Sequence, residues 1–141
     1  MSVHAIQTEE LPIESEDDIV ELRHKVRLLA RKYGFDSFAV AAITTAASEL
    51  GRNVWAHAHG GKAVIEILED ENQDREGIRL VFSDEGPGIK DVEKAMQGGF
   101  STADTLGLGL SGSKRLVDEF NIETELGKGT IIRVVKWNRI S

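Results

Sequence analysis

A carboxylate closing an apolar run, with two glycines just behind it, gives this chain its most telling chemistry. Asp84-Glu85-Gly86-Pro87-Gly88-Ile89 follows Ile78-Arg79-Leu80-Val81-Phe82, and downstream Gly107-Leu108-Gly109-Leu110 opens a segment of helical character. A carboxylate accepts a hydrogen bond from a nucleobase amine, and bare N–H groups at a helix N-terminus hold phosphate. Together they imply a purine-nucleotide pocket. A second couple, Glu49 and Asn53, lies on a run of small apolar residues. Their spacing is about one helical turn, which sets both side chains on one face roughly 6 Å apart along the axis. Asn53 there offers an oxygen to Mg²⁺, a cation that favours oxygen ligands, and Glu49 stands where it can orient or deprotonate a hydroxyl.

Each piece also has a plainer account. Glu49 paired with Arg52, and Asn53 turned to water, would be an ordinary helix surface. Asp-Glu-Gly-Pro-Gly is good turn chemistry by itself. Gly107-x-Gly109 lacks the third glycine of a dinucleotide fingerprint and the Gly-Lys-Ser/Thr of a P-loop. Gly127-Lys128-Gly129-Thr130 reads as a hairpin turn. His57 and His59 are splayed by their spacing and suit a favourable interaction with a helix C-terminus better than a metal. Trp55, Trp137 and Phe100 suit core or interface positions.

The elements that must carry these residues follow from periodicity. Residues 2–13 alternate loosely up to Pro12 and predict an edge strand. Ile19, Leu22, Val26, Leu29 and Ala30 recur at helical spacing from Ser15 or Glu16, and Gly34 stops that helix. Asp36 or Ser37 caps a second helix to about Ala58, ended by Gly60 and Gly61. Its Ala39, Ala41, Ala42, Ile43, Ala46, Ala47 and Leu50 predict burial on most sides. Ala63 to Leu68 and Gly77 to Ser83 read as strands around a polar turn, Glu69 to Glu76. A short helix over Asp91 to Gln97, a loop over Gly98 to Gly107 and a helix over Leu108 to Phe120 come next. Strands over Asn121 to Leu126 and Thr130 to Trp137 end the chain. Short turns between adjacent strands imply a mixed or antiparallel sheet with the helices on one face.

Composition bounds the partners. With 141 residues and 40% hydrophobic content the chain reads as one domain. No run of about 18 apolar residues predicts a membrane span, and Met1 to Glu10 shows no secretory pattern. Cysteine is absent, which removes disulfides and thiolate chemistry and agrees with a cytoplasmic setting. A net charge of −7 argues against non-specific binding to nucleic acid or anionic membrane, and it requires local counter-charge for any triphosphate.

The order of the four pieces is what narrows the function. Glu49-x-x-x-Asn53, Asp84-x-Gly86-x-Gly88, Gly107-x-Gly109-Leu110 and Gly127-x-Gly129-Thr130 resemble the N-box and three glycine boxes of the GHKL ATPases (gyrase, heat-shock chaperone, histidine kinase, MutL). The resemblance spans residues 15–137. It implies a Bergerat-type ATP-binding fold, an α+β two-layer sandwich with a mixed, largely antiparallel sheet and helices on one face.

The chain has no phosphoacceptor-histidine helix pair and no transducer domain. What remains looks like the free-standing serine/threonine kinases of bacterial partner-switching systems, the anti-sigma factor kinases. Ser48-Glu49-Leu50-Gly51-Arg52-Asn53, Gly98-Gly99-Phe100-Ser101-Thr102, Lys114 to Phe120 and Val135-Lys136-Trp137 look closest to the stressosome switch kinases.

The resemblance implies ATP and Mg²⁺ as cofactors. Asp84 would accept the adenine amine, with Thr130 beside it and Gly86 and Gly88 shaping the turn. Asn53 would hold Mg²⁺, Glu49 would be the general base, and Gly107 and Gly109 would present amides to the phosphates. Residues 98–106 would form a lid, with Arg52, Lys114 and Arg115 as local cations. Implied partners are STAS-domain antagonist proteins, a PP2C-type phosphatase regulatory domain and a second copy as a homodimer. The competing reading is a nucleotide-gated binding module that sequesters a partner with little kinase activity. The presence of both Glu49 and Asn53 favours the kinase.

Overall fold

The computed structural model describes residues 2–89, 92, 96 and 110–138. Strand β1 (Val3–Ile13) leads to helix α1 (Glu16–Lys32) and helix α2 (Ser37–Ala58). Strands β2 (Gly61–Asp70) and β3 (Arg75–Asp84) follow, then helix α3 (Leu110–Leu116) and strands β4 (Glu119–Glu125) and β5 (Gly129–Trp137).

The helix starts are written in the sequence. The Ser15 hydroxyl accepts the Asp18 N–H at 3.2 Å, and Glu16, Asp17 and Asp18 lie at the positive end of the α1 dipole. The Asp36 carboxylate does the same for α2, accepting the Ala39 N–H at 2.8 Å. Gly34, at φ +80, turns the chain between the two helices. The predicted row Ile19, Leu22, Val26, Leu29 and Ala30 is the buried face of α1. In α2 the burial is narrower than expected: Val40, Ile43, Ala46, Ala47, Leu50 and Val54 are buried, whereas Ala41 is exposed and Phe38 is 87% exposed. The start of α2 borders open grooves on its α1 and α3 sides, so small residues there do not mean enclosure.

The strands form one sheet in the order β1-β2-β3-β5-β4, with β1 at the expected edge. All four pairings are antiparallel, the second of the two arrangements that short turns between strands imply. The path β1-α1-α2-β2 reverses the chain three times, an odd number that leaves β1 and β2 antiparallel, and tight turns join β2 to β3 and β4 to β5. Alternation puts Ala63, Ile65, Ile67, Ile78, Leu80, Phe82, Ile132 and Val134 against the helices. The outer face has its own small cluster of Leu68, Val135 and Trp137, with the Arg75 guanidinium 3.9 Å from the Trp137 ring centre.

Two boundaries move for identifiable reasons. The polar turn shrinks to residues 71–74, because buried Asp70 accepts from the Asn72 and Gln73 amides and from Arg75 Nε, letting both strands run to the turn. The helix expected to reach Phe120 stops at Leu116. The Asp118 N–H bonds the Val135 carbonyl and the Asp118 carboxylate accepts the Trp137 N–H at 2.7 Å, which draws Phe120 into β4 opposite Val134. The helix expected over Asp91 to Gln97 lies largely outside the described residues. Its Val92 and Met96 are helical and pack against the core.

Leu22 is fully buried between α1 and α2. Leu22→Ala is expected to cost about 2–5 kcal/mol of stability, read as a lower denaturant midpoint with an unchanged m-value.

Candidate nucleotide-binding site

The site begins with backbone packed against backbone. Asp84 is the last residue of β3 and pairs with Thr130 of β5. Its Oδ1 accepts the Gly86 N–H at 2.9 Å, an Asx turn that fixes the carboxylate. Gly86 runs so close to the end of α2 that an added Cβ would come within 2.6 Å of Ala58 Cβ. Gly88, at φ +80, lies against the Glu125 carbonyl, and a Cβ there would come within 2.6 Å of that oxygen. Gly129, at φ +128, leaves no room for a side chain beside the Asp84 carbonyl. The third glycine motif is therefore more than a hairpin: Gly127 serves the turn, and Gly129 admits the strand carrying Asp84.

Behind these glycines, Asn53, Asp84 and Thr130 line one small cavity walled by Leu50, Val54, Phe82, Ile89, Leu110 and Ile132. Its free volume of about 10 Å³ is on the order of one water molecule. Asn53 Nδ2 is buried and has no hydrogen-bond partner among the described residues. An orphaned buried amide costs about 1–3 kcal/mol unless something satisfies it. The cavity itself holds no more than a water, but the half-buried Asp84 carboxylate offers an acceptor to an amine at its mouth, and the Asn53 amide has hydrogen-bonding capacity to spare for a ligand beside it.

Glu49 is placed differently. Although one turn from Asn53, it lines a groove between α1 and α2, where its Oε1 accepts from Arg52 at 2.9 Å. Arg52 is 55% exposed. The acid–amide couple thus straddles two concavities and does not fill one. Lys114 is exposed on α3, and Arg115 lines a separate groove beside Asp36 and Trp137. Gly107, Gly109 and the expected lid over 98–106 lie outside the described residues. A larger cavity of about 920 Å³ also touches Asp84 and Thr130, but its walls include Lys62, Ser83 and Ile131 of the outer sheet face and neither Asn53 nor Glu49.

Sequence reasoning missed Thr124. Its Oγ1 accepts the Ile89 N–H at 2.9 Å, donates to the Gly129 carbonyl at 3.2 Å and lies 2.9 Å from Thr130 Oγ1, tying the loop after Asp84 to both strands of the last hairpin. The available signal was a threonine directly across the hairpin from Thr130. His57 also departs from expectation. Burial pushes its pKa down, against the opposing pull of Asp84, so a charge at the helix end is disfavoured.

Burial pushes the Asp84 carboxyl above its ordinary pKa, against the hydrogen bonds from Gly86 and Thr130 and the pull of His57. The native state therefore holds this proton to higher pH than the unfolded chain does. The contribution disfavours folding progressively as pH rises from the unfolded to the folded pKa and is complete above it. Asp84→Asn keeps an oxygen for Gly86 and removes the charge. Its stability relative to the parent is expected to rise with pH through and just above the ordinary carboxylate range, as measured by urea unfolding in the absence of nucleotide.

Residues 13–136 match the family described as the histidine kinase-like ATPase domain. Over 127 residues the chain is 44% identical to the serine/threonine-protein kinase RsbT of Bacillus subtilis (strain 168), a match covering 90% of this chain and 94% of that one. It is 38% identical over 101 residues to an anti-sigma F factor of Caldanaerobacter subterraneus subsp. tengcongensis, covering 70% of each. In three dimensions it resembles a chain in the crystal structure of the SiaB–SiaC complex from Pseudomonas aeruginosa, with a TM-score of 0.55 at 13% identity, covering 94% of this chain and 90% of that one. At that identity the likeness is one of fold. The two-layer architecture, the placement of the Asp84 turn and the near full-length sequence match agree, and the chain belongs to the histidine kinase-like ATPase domain family.

Proposed function

We propose that this protein is an ATP-dependent serine/threonine kinase of a bacterial partner-switching system, acting on a small antagonist domain of the STAS type. The observation that carries this reading is the gathering of Asn53, Asp84 and Thr130 on one cavity, with the Asn53 amide unsatisfied and Glu49 one turn away on an open groove. The 44% identity to a serine/threonine-protein kinase supports it.

Asp84 holds the adenine amine in this reading, with Thr130 and the Thr124 hydroxyl beside it, while Gly86 keeps the turn close to α2 and Gly88 keeps it close to the end of β4. Asn53 holds Mg²⁺ through its amide oxygen. Mg·ATP, when bound, supplies the transferable phosphoryl group and neutralises part of its own charge. Gly107 and Gly109 present backbone N–H groups to the phosphates, residues 98–106 cover them, and Lys114 adds positive charge.

Glu49 is the general base that takes the proton from the incoming serine hydroxyl. Arg52, already on its carboxylate, orients it and must share it with the hydroxyl. Phosphoryl transfer asks chiefly for positioning and charge stabilisation, so a site with few reactive groups suffices. In the partner-switching cycle, release from the antagonist frees the kinase for the regulatory domain of a PP2C-type phosphatase. The setting is the cytoplasm, with a stressosome-like assembly supplying the antagonist and a second copy as a further candidate partner. No helix among the described residues is long and apolar enough to cross a membrane.

The anti-sigma F factor relatives favour a second reading, a nucleotide-gated module that sequesters its partner. Transfer of label from radiolabelled ATP to an antagonist domain separates the two. Glu49→Ala is expected to lower the transfer rate about a hundredfold or more while Mg·ADP binding, followed by calorimetry, stays at the parent value. Tight nucleotide binding without transfer to any antagonist domain would leave the sequestering module.

A further inference from the structure

Helix α1 carries Arg23, Arg27 and Arg31 at four-residue spacing, a row about 12 Å long on one face. These three arginines and Arg52 line the groove between α1 and α2, a concavity of about 650 Å³. Lys25, Lys62, Arg75, Arg79, Lys128, Arg133 and Lys136 each reach a carboxylate, and the other cations without an ion pair among the described residues, Lys32, Lys114 and Arg115, do not form a row. Arg23, Arg27 and Arg31 form no ion pair among the described residues, in a chain with 24 acidic residues to 17 Lys and Arg. Three like charges a turn apart repel one another by a few tenths of a kcal/mol per pair.

The floor of the same groove supplies an independent sign. Thr44 lines it at 6% exposure, and its hydroxyl has no hydrogen-bond partner among the described residues. The groove thus combines unpaired cations with an unsatisfied buried donor, and it ends at Glu49 and Arg52. Acidic residues flank the arginine row along the chain: Glu16, Asp17 and Asp18 begin α1 and Asp36 caps α2. A long polyanion would overrun these acids, whereas a short segment fits between them.

We propose that the α1–α2 groove docks a short acidic segment of the substrate protein, with carboxylates repeating about every 6 Å, and so delivers the acceptor hydroxyl to Glu49. The inference rests on the kinase reading for its role in delivery, but the docking itself is testable apart from it. Arg23, Arg27 and Arg31 take the carboxylates, and the Thr44 hydroxyl donates to a backbone carbonyl or carboxylate of the segment. The arginine row shares no lining residue with the cavity of Asn53, Asp84 and Thr130, so the segment and a nucleotide do not compete for the same groups.

The test uses the full chain and a fluorescein-labelled helical peptide with glutamates at four-residue spacing, followed by anisotropy. The parent is expected to bind the peptide saturably, and more weakly as salt rises. The double variant Arg27→Glu, Arg31→Glu is expected to lose about tenfold or more in affinity, while Mg·ADP calorimetry is unchanged, which shows that the variant is folded. In label transfer to an antagonist domain, the same variant should raise KM and leave kcat in place. Equal peptide affinity in parent and variant, no binding by the parent, or equally tight binding of a single-stranded oligonucleotide would overturn the proposal. Peptide binding lost in the variant, in a parent that transfers no label, would uphold the docking groove and sink the kinase reading instead.

Discussion

Everything in this molecule that bears on a ligand depends on how closely three stretches of backbone approach at the end of β3. The turn after Asp84 presses on the last residue of α2, and the first residue of β5 presses on the Asp84 carbonyl. Side chains at Gly86 or Gly129 would drive these elements apart. That spacing holds a carboxylate half out of water, where it is costly to ionise but well placed to discriminate one amine from another. The hydroxyl of Thr124 then clamps the following loop to the final hairpin, so that the turn is supported from the sheet as well as from the helix.

The burial pattern of α2 separates the two halves of the chemistry. Asn53 faces the sheet and the cavity beside Asp84, whereas Glu49 faces α1 and solvent. A pitch of 3.6 residues means that positions four apart share a face only approximately; on a helix wedged between a sheet and another helix, the residual rotation is enough to divide them. One residue can then hold a cofactor in a dry setting while its neighbour meets a protein surface.

Much of this was legible in the chain. The row from Ile19 to Ala30, the caps at Ser15 and Asp36 and the turn residues from Asp84 to Gly88 are local signals, set by helix period, orphan N–H groups and permitted φ. They survive folding because nothing tertiary competes with them. The errors arose where distant contacts overrule local preference. Residues 117–120 continue a helical pattern, but hydrogen bonds between Asp118 and the last strand win them for the sheet. Ala41 looks like core by composition but is exposed, because it lies on the walls of the grooves that α2 forms with α1 and α3 and not beneath either helix. The Gly107 and Gly109 motif falls outside the described residues, so its reading still rests on the sequence. Thr124 was missed because its importance comes from strand register, which periodicity does not encode and only the pairing across the hairpin to Thr130 reveals.

The far edge of the sheet has a consequence for assembly. Strand β4 is only seven residues long and carries Glu119, Glu123 and Glu125. An unpaired strand border is a template for adding another chain, and proteins blunt it with brevity and charge. A second copy zipping onto β4 in an antiparallel register would bring like carboxylates face to face, on a molecule already seven negative charges out of balance. The sheet therefore terminates itself at that side, and its growth into a fibre or a continuous intermolecular sheet is opposed there by electrostatics built into the border.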